Sequence, residues 1–277
     1  IDNAEGKQKI IIELYDKFFK TAFPMMVERL GIVYTPVEVV DFIIHSVDDI
    51  LKQEFGRSLS DENVHILDPF VGTGTFITRL LQSGLIKDKD LQRKYTQELH
   101  ANEIVLLAYY IAAVNIENVY HDLLGEGKDY QTFEGVCLTD SFQLGETEAN
   151  EQLFSEMFPK NSARVVAQKK APIKVIIGNP PYSGGQKSAD DNAENQSYDK
   201  LNNRISESYV ANTSGAGKRA LYDSYIKAFR WATDRIDSKT GGVIGFIANN
   251  SWVDGISQVG FRKCVEQEFE NIYIFNL

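Results

Sequence analysis

The segment Asn179-Pro180-Pro181-Tyr182 combines residue types that could hold an amino group. It follows the apolar run Lys174–Gly178, which is typical of a buried strand, and open α/β sheets bind ligands at the carboxyl ends of their strands. An asparagine amide oxygen and a proline carbonyl can accept both hydrogens of an exocyclic amine, while an aromatic ring stacks on the ring that carries it. This chemistry suits methylation of an amino group on a nucleobase or a planar amide. A plain strand-terminating turn is the alternative, because asparagine and proline are turn formers.

A glycine-rich segment earlier in the chain reads Asp68-Pro69-Phe70-Val71-Gly72-Thr73-Gly74. Gly72 and Gly74 allow the backbone to turn tightly and to approach a ligand closely. A dinucleotide-binding motif would place its third glycine at Ile77, so a nicotinamide or flavin cofactor is disfavoured. The Asp68 carboxylate would repel a pyrophosphate but would attract an ammonium or sulfonium group. The segment therefore favours a nucleoside that carries an amino acid.

Acidic residues also follow the second and third predicted strands. Glu103 could accept hydrogen bonds from both hydroxyls of a ribose, and Ile104 beside it offers an apolar face to a purine. The Asp140 carboxylate could accept from the amino group of an adenine, while the backbone N–H of Ser141 donates to a ring nitrogen. Each signal is weak alone, but together with Asp68 they predict a nucleoside-binding row along one edge of the sheet.

Hydrophobic periodicity predicts that strands and helices alternate along the chain. Strands are predicted at Val64–Leu67, Glu98–Ala101, Val136–Leu138, Lys174–Ile177, Gly242–Ala248 and Ile272–Phe275. Helices are predicted at residues 8–30, from a capping box at Thr35, from Thr75, through residues 106–113, at Leu221–Ile236 and at Val259–Phe269. The alternation predicts a doubly wound, mostly parallel, Rossmann-like α/β sheet at residues 34–277, with a helical N-terminal extension at residues 1–33.

A polar segment at residues 183–219 interrupts this alternation directly after the Asn-Pro-Pro-Tyr loop. It shows little apolar periodicity, and its position predicts a lid or a substrate-contacting loop, with a disordered linker as the alternative. Two small basic clusters are equally consistent with phosphate contacts and with solvated surface; they comprise Lys169, Lys170 and Lys174, and Lys218 and Arg219.

The composition limits the partners and the compartment. A net charge of −10 argues against tight DNA binding by this chain alone. No apolar stretch reaches membrane-spanning length and the N-terminus lacks signal-peptide features, so a cytoplasmic protein with reduced Cys137 and Cys264 is expected. The four histidines show no metal-ligand spacing, and no metal site is predicted.

The order of these motifs resembles the N6-adenine DNA methyltransferases in which the cofactor motifs come first. That order is Tyr34-Thr35-Pro36, Asp-Pro-Phe-x-Gly-x-Gly, an acidic residue, an aspartate and Asn-Pro-Pro-Tyr, and the match runs from about Tyr34 to the end of the chain. More narrowly, Asn-Pro-Pro-Tyr-Ser-Gly-Gly-Gln, the polar insertion and Leu221–Tyr225 resemble the methyltransferase portion of type ISP single-polypeptide restriction–modification enzymes.

The resemblance implies that the cofactor is S-adenosyl-L-methionine. Thr35 would hold the methionine carboxylate at a helix N-terminus, Asp68 and the glycine loop would hold the ammonium, and Tyr225 would enclose the cofactor adenine together with Ile104. The implied cofactor-binding residues are Tyr34, Thr35, Asp68, Pro69, Phe70, Gly72, Gly74, Glu103, Ile104, Asp140, Ser141 and Tyr225.

The resemblance also implies a target and partners. Asn179 and Pro180 would accept from the target amine and Tyr182 would stack on the extruded base, so the catalytic residues are Asn179, Pro180, Pro181 and Tyr182. The target is an adenine flipped out of double-stranded DNA. Nuclease and translocase domains are expected upstream and a target-recognition domain downstream. The last residues precede the seventh strand expected of the family, so a fragment that is inactive alone is expected.

Several other functions share parts of this pattern. The same loop could hold an RNA base or a protein glutamine side chain. A catalytically silent module that positions a partner on DNA is a further alternative, disfavoured by the intact Asn179 and Tyr182. A nicotinamide oxidoreductase is disfavoured by Ile77.

Overall fold

A computed structural model describes residues 35–125, 127–146, 158–182, 198–214 and 217–276. The predicted helix at residues 8–30, the extension at 1–33, Tyr34 and the first part of the polar segment, 183–197, lie outside these residues. Among the described residues, no helix combines the length and apolar character needed to cross a membrane.

Five parallel strands form one sheet in the order β3-β2-β1-β4-β5. The strands are β1 (His65–Asp68), β2 (Leu99–Glu103), β3 (Val136–Leu138), β4 (Ile173–Gly178) and β5 (Val243–Phe246). The order reverses between β1 and β4, so the loops after these two strands diverge and leave a crevice at the carboxyl edge. This is the doubly wound, Rossmann-like arrangement that the alternation predicts.

Helices cover both faces of the sheet. In chain order they are α1 (Val37–Phe55), α2 (Thr75–Gln82), α3 (Asp88–Arg93), α4 (Leu106–Leu124), α5 (Pro159–Lys170), α6 (Asp199–Ile205), α7 (Ser224–Arg235), α8 (Ser251–Asp254) and α9 (Val259–Glu268). Alternate residues of a strand point to opposite faces: Ile66 packs with α1, α2 and α4, whereas Leu67 packs with α6, α7 and α9. Two apolar cores result, one on each face.

The sixth predicted strand, Ile272–Phe275, is wrong. These residues are exposed, and no described strand pairs with them. A strand needs a neighbour to satisfy its backbone N–H and C=O groups, and β5 pairs only with β4 among the described strands. Phe275 contacts α1 instead, and its ring centroid lies 4.6 Å from that of Phe42.

The capping box predicted at Thr35 is also wrong. Helix α1 begins at Val37, and no side chain caps its first turn. The Thr35 hydroxyl instead accepts a hydrogen bond of 3.0 Å from the side-chain amide of Asn179, which follows β4. A contact between residues 35 and 179 depends on the folded sheet, so local sequence rules could not find it.

The later part of the polar segment is neither a loop nor a linker. Residues Asp199–Ile205 form α6, which is continued by a π-helical turn at Ser206–Val210. Leu201, Ile205 and Tyr209 are buried at a spacing of four residues, which is one face of a helix. This spacing was the missed signal, because the surrounding serine, asparagine and aspartate residues obscured it.

Candidate active site

The glycine loop after β1 folds back onto the end of β2. The Val71 N–H donates to the carbonyl of Asn102 at 2.9 Å, and the Gly72 N–H donates to Glu103 Oε2 at 2.9 Å. Gly74 has a φ of +92° and precedes α2, so this position favours glycine. The two predicted motifs are therefore joined by direct hydrogen bonds at the carboxyl edge.

Asp68 ends β1 as a buried carboxylate with little support from its surroundings. Its Oδ1 accepts from the Phe70 N–H at 3.0 Å, while Oδ2 is buried and has no hydrogen-bond partner among the described residues. Burial, together with the nearby charge of Glu103, raises the pKa of Asp68 to about 8. An unsupported buried carboxylate is costly, and a cationic ligand beside it would stabilise its ionised form.

Glu103 occupies the last position of β2, as the sequence predicts. Its two oxygens accept from Gly72 N–H and, at 2.8 Å, from Val105 N–H. Burial raises the pKa of Glu103 to about 7, against the effect of these backbone donors. Each carboxylate oxygen has a second lone pair, so the bonds to the backbone position the side chain without preventing contact with ribose hydroxyls.

Asp140 and Ser141 lie in the loop after β3 and differ in role. Asp140 Oδ1 accepts from the Phe142 N–H at 2.9 Å, and burial raises its pKa. The Ser141 hydroxyl donates to the carbonyl of Pro69 at 2.6 Å and accepts from Asn102 at 3.0 Å. Ser141 thus connects the loop after β1, strand β2 and the loop after β3 through its side chain. The contact of its backbone N–H with a ring nitrogen stays a prediction. Asn102 is a positioning residue that the sequence reasoning missed.

The Asn-Pro-Pro-Tyr loop follows β4, in the crevice beside Asp68. Because Asn179 Nδ2 donates to the Thr35 hydroxyl, the amide has a defined orientation with Oδ1 on the opposite side. The Tyr182 hydroxyl donates to the carbonyl of Ile247 at 3.1 Å, which holds its half-buried ring in place. Pro180 is buried. The loop is therefore anchored at both ends to other elements of the fold.

Gly178 brings the two halves of the site into contact. A Cβ atom at this position would lie 2.9 Å from Asp68 Oδ1, a distance at which something must shift. The absence of a side chain allows the end of β4 to approach the buried carboxylate closely. The predicted amine-binding loop and the predicted ammonium-binding carboxylate are consequently direct neighbours.

The structure places Tyr225 beside the Asn-Pro-Pro-Tyr loop. Its ring is buried at the start of α7, with its centroid 6.1 Å from that of Tyr182. Ile104 follows β2 and is half exposed. Enclosure of an adenine by Ile104 and Tyr225 stays a prediction. No group of three or more histidine, cysteine, aspartate or glutamate residues within the described ranges could hold a metal ion.

The parallel sheet and the row of residues at its carboxyl edge define a Rossmann-like methyltransferase fold. Residues 98–277 match the family described as Eco57I restriction-modification methylase. The chain belongs to this family. The comparison with curated proteins gave no match.

Solved structures of restriction–modification enzymes are similar to almost the whole chain. The type ISP enzyme LlaBIII, bound to DNA, is 51% identical over 96% of the chain with a TM-score of 0.84. A nuclease-deletion mutant of the type ISP enzyme LlaGI, in complex with a DNA substrate mimic, is 50% identical over 97% with a TM-score of 0.87. DrdV in its DNA complex is 39% identical over 97%, also with a TM-score of 0.87.

The chain spans 18% of the LlaBIII chain, 21% of the LlaGI chain and 25% of the DrdV chain. It is therefore a restriction–modification methylase domain of the kind found in type ISP enzymes, and it corresponds to a limited part of these larger proteins.

Proposed function

We propose that this domain transfers a methyl group from S-adenosylmethionine to the N6 amino group of adenine in double-stranded DNA. It would be the modification part of a restriction–modification enzyme. The observation that carries the proposal is the pairing of two features across Gly178. One is Asp68, a buried carboxylate whose Oδ2 has no hydrogen-bond partner among the described residues, and the other is the anchored Asn-Pro-Pro-Tyr loop.

The residues present fit this cofactor. Asp68 Oδ2, which has no hydrogen-bond partner in the described part of the chain, suits the methionine ammonium, since an opposite charge would stabilise the ionised carboxylate. Glu103 suits the ribose, and Asp140 suits the amino group of the cofactor adenine. When bound, the cofactor supplies an electrophilic methyl group on a positively charged sulfur.

Asn179 and Pro180 act on the target amine. The lone pair of an adenine N6 is delocalised into the ring, which makes the nitrogen a poor nucleophile. If Asn179 Oδ1 and the Pro180 carbonyl each accept one amino hydrogen, the nitrogen moves towards sp³ geometry and its developing positive charge is stabilised. The proton can leave after attack, so a general base is not needed beforehand. Positioning then provides most of the rate enhancement.

Tyr182 receives the base. An amine paired within a duplex is inaccessible, so the nucleotide must be flipped out, and stacking on an aromatic ring offsets part of the unstacking energy. Because its hydroxyl is bound to Ile247, the Tyr182 ring is held in the crevice before a base arrives. This preorganisation supports a role as the stacking surface.

The relatives support DNA as the substrate over the RNA and glutamine alternatives, since the structures of LlaBIII and DrdV contain DNA and that of LlaGI contains a DNA substrate mimic.

The two basic clusters predicted as possible phosphate contacts lie at different positions relative to the site. The Lys174 ammonium, at the opposite edge of the sheet, donates to the carbonyls of Thr240 and Gly241, so its predicted phosphate contact is disfavoured. Lys218 and Arg219 lie just before α7, on the side of the site.

Mass spectrometry of the methylated product tests this proposal. The full-length protein is incubated with duplex DNA and S-adenosylmethionine that carries a deuterated methyl group, and the DNA is digested to nucleosides. Deuterated N6-methyladenine is expected. Deuterated N4-methylcytosine, methylation of RNA alone or methylation of protein glutamine would each contradict the assigned target.

Tyr182→Ala should abolish most product while leaving cofactor affinity nearly unchanged, and Asp140→Ala should weaken cofactor affinity.

A further inference from the structure

The carboxylate assigned to the cofactor adenine is held by a residue outside the recognised motifs. Asp140 Oδ2 accepts a hydrogen bond of 2.6 Å from the hydroxyl of Tyr198. Tyr198 belongs to the polar segment that follows the Asn-Pro-Pro-Tyr loop, and nothing in its sequence context indicates a cofactor contact. Tyr198, sixteen residues beyond Tyr182 in the sequence, therefore contacts the loop after β3, which lies on the other side of the sheet order from β4.

Tyr198 is fixed by the helix that follows it. The carboxylate of Glu146 accepts from the backbone N–H of Lys200 at 2.9 Å and from that of Leu201 at 3.0 Å, so it caps the first turn of α6. The apolar face of α6 is buried against the sheet. Because Glu146 lies only six residues beyond Asp140, both contacts join the start of α6 to the loop after β3.

The Tyr198 ring has contacts of its own. It packs edge-on against Phe142, with centroids 5.3 Å apart, and the Lys227 ammonium lies 5.5 Å from its centroid. These contacts do not involve the hydroxyl. The substitution Tyr198→Phe can therefore keep the packing while it removes the hydrogen bond to Asp140, so it separates the effect of that bond from the structural role of the ring.

We propose that Tyr198 is a positioning residue of the cofactor site, whose hydroxyl orients the Asp140 carboxylate towards the amino group of the cofactor adenine. This inference rests on the proposed function, because it assumes an adenine at Asp140. A carboxylate oxygen can accept two hydrogen bonds, so Oδ2 can keep the Tyr198 hydroxyl while it receives the adenine amine. The helix after the polar segment thereby contributes to cofactor affinity without contacting the cofactor.

The test measures cofactor binding to the variant Tyr198→Phe by calorimetry, with two ligands. S-adenosylhomocysteine carries the adenine amino group, and S-inosylhomocysteine carries an oxygen in its place. Tyr198→Phe should weaken S-adenosylhomocysteine binding about three- to ten-fold and should narrow the preference of the protein for the amino ligand. Tyr209→Phe is the matched control: it removes a hydroxyl in the helical turn continuing α6 that is buried without a partner among the described residues.

The pH dependence of binding provides a second readout. The groups that face Asp140 are the Tyr198 hydroxyl, the backbone N–H groups of Phe142 and Gln143, and the Lys227 ammonium. Loss of the hydroxyl removes a donor to the ionised carboxylate, so Asp140 would take up a proton at a higher pH. As the pH is lowered, affinity for S-adenosylhomocysteine should therefore begin to fall at a higher pH in Tyr198→Phe than in the unsubstituted protein.

The outcomes distinguish this inference from the proposed function. Weaker binding, a reduced preference for the amino ligand and an unchanged Tyr209→Phe control would support the role of Tyr198. Equal or tighter binding of S-adenosylhomocysteine by Tyr198→Phe, with the unsubstituted protein binding normally, would overturn only this inference. Failure of the unsubstituted protein to bind either S-adenosylmethionine or S-adenosylhomocysteine would overturn the proposed function as well.

Discussion

Two buried carboxylates, Glu98 at the amino edge of the sheet and Asp68 at the carboxyl edge, have opposite electrostatic surroundings. Glu98 immediately precedes β2, and its oxygens accept from Asn63 N–H at 2.7 Å and pair with the ammonium of Lys94 at 2.7 Å and the guanidinium of Arg93. These partners hold the pKa of Glu98 below its usual value, although burial alone would raise it. Asp68 ends β1 at the other edge, accepts one backbone bond and has a pKa raised to about 8.

The difference separates a structural site from the proposed cofactor-binding site. At the amino edge the chain supplies the cations that its carboxylate requires, so the network is complete in the folded protein. At the carboxyl edge the folded chain buries a carboxylate and leaves one oxygen without a hydrogen bond from the described residues. Such an arrangement costs stability, and functional sites commonly contain strongly perturbed groups. We therefore expect substitutions at the two edges to affect different measurements.

The largest expected effect on stability is that of Glu98→Gln. Lys94 is fully buried, and removal of the carboxylate charge leaves its ammonium without the ion pair. Loss of one partner of a buried ion pair typically costs about 3–5 kcal/mol, so the free energy of unfolding should fall by about that amount. Urea denaturation measures this free energy. The control is Glu134→Gln, which removes the carboxylate of an exposed ion pair with Arg164 and should cost less than about 1 kcal/mol. An equal loss in both variants would contradict a structural role specific to Glu98.

The largest effect on activity should come from Asn179→Ala. Removal of one acceptor for the target amine should lower turnover by about 10²–10³-fold, the usual cost of deleting a preorganised partner of the transition state. Affinity for S-adenosylmethionine should change little. Single-turnover kinetics with saturating DNA would measure this change. Near-normal turnover would show that another group accepts from the amine.

Asp68→Asn should lower cofactor affinity without lowering stability. The asparagine can still accept from the Phe70 N–H, but it cannot neutralise an ammonium. Loss of a charge-assisted hydrogen bond should cost about 1.5–3 kcal/mol of cofactor binding. The free energy of unfolding should stay constant or rise, because the asparagine side chain is neutral at every pH, whereas the buried carboxyl must hold a proton to avoid a costly buried charge. A destabilised variant with normal cofactor affinity would reverse the assignment of the two edges.

The stability of the cofactor-free protein should depend on pH through Asp68. Its pKa is about 8 in the folded chain, against an ordinary value of 3.8. The folded state therefore holds a proton that the unfolded state has released, so this contribution to stability is complete below the ordinary pKa and is lost as the pH rises towards 8. The carboxyl of Glu98, whose pKa is lowered, contributes in the opposite sense and loses its effect in acid.

Thermal unfolding at several pH values, with and without Asp68→Asn, measures the Asp68 contribution. Between about pH 6 and pH 8 the unsubstituted protein should lose more stability than the variant. Parallel curves would show that the Asp68 carboxyl is already ionised in the folded chain.

The sequence predicts the motifs well because they depend on local chemistry. Apolar runs followed by acidic or glycine-rich turns indicate the five strands and Glu103 at the end of β2, and the glycine loop is recognisable from its spacing. The contacts between motifs are different. The Asn179–Thr35 bond, the Ser141–Pro69 bond and the Tyr198–Asp140 bond join residues 58 to 144 positions apart. Such pairs arise only when the sheet brings strand ends together.

The exchange of protons on cofactor binding tests the central claim most directly. Near pH 7, Asp68 should be mostly protonated in the cofactor-free protein, because its pKa is about 8. An ammonium placed beside Oδ2 would favour the ionised form, so binding of S-adenosylmethionine should release up to about one proton. Calorimetry in buffers of different ionisation enthalpy measures this number. We expect a proton release that disappears in Asp68→Asn. A binding heat independent of the buffer, or an undiminished release in the variant, would contradict an ammonium beside Asp68.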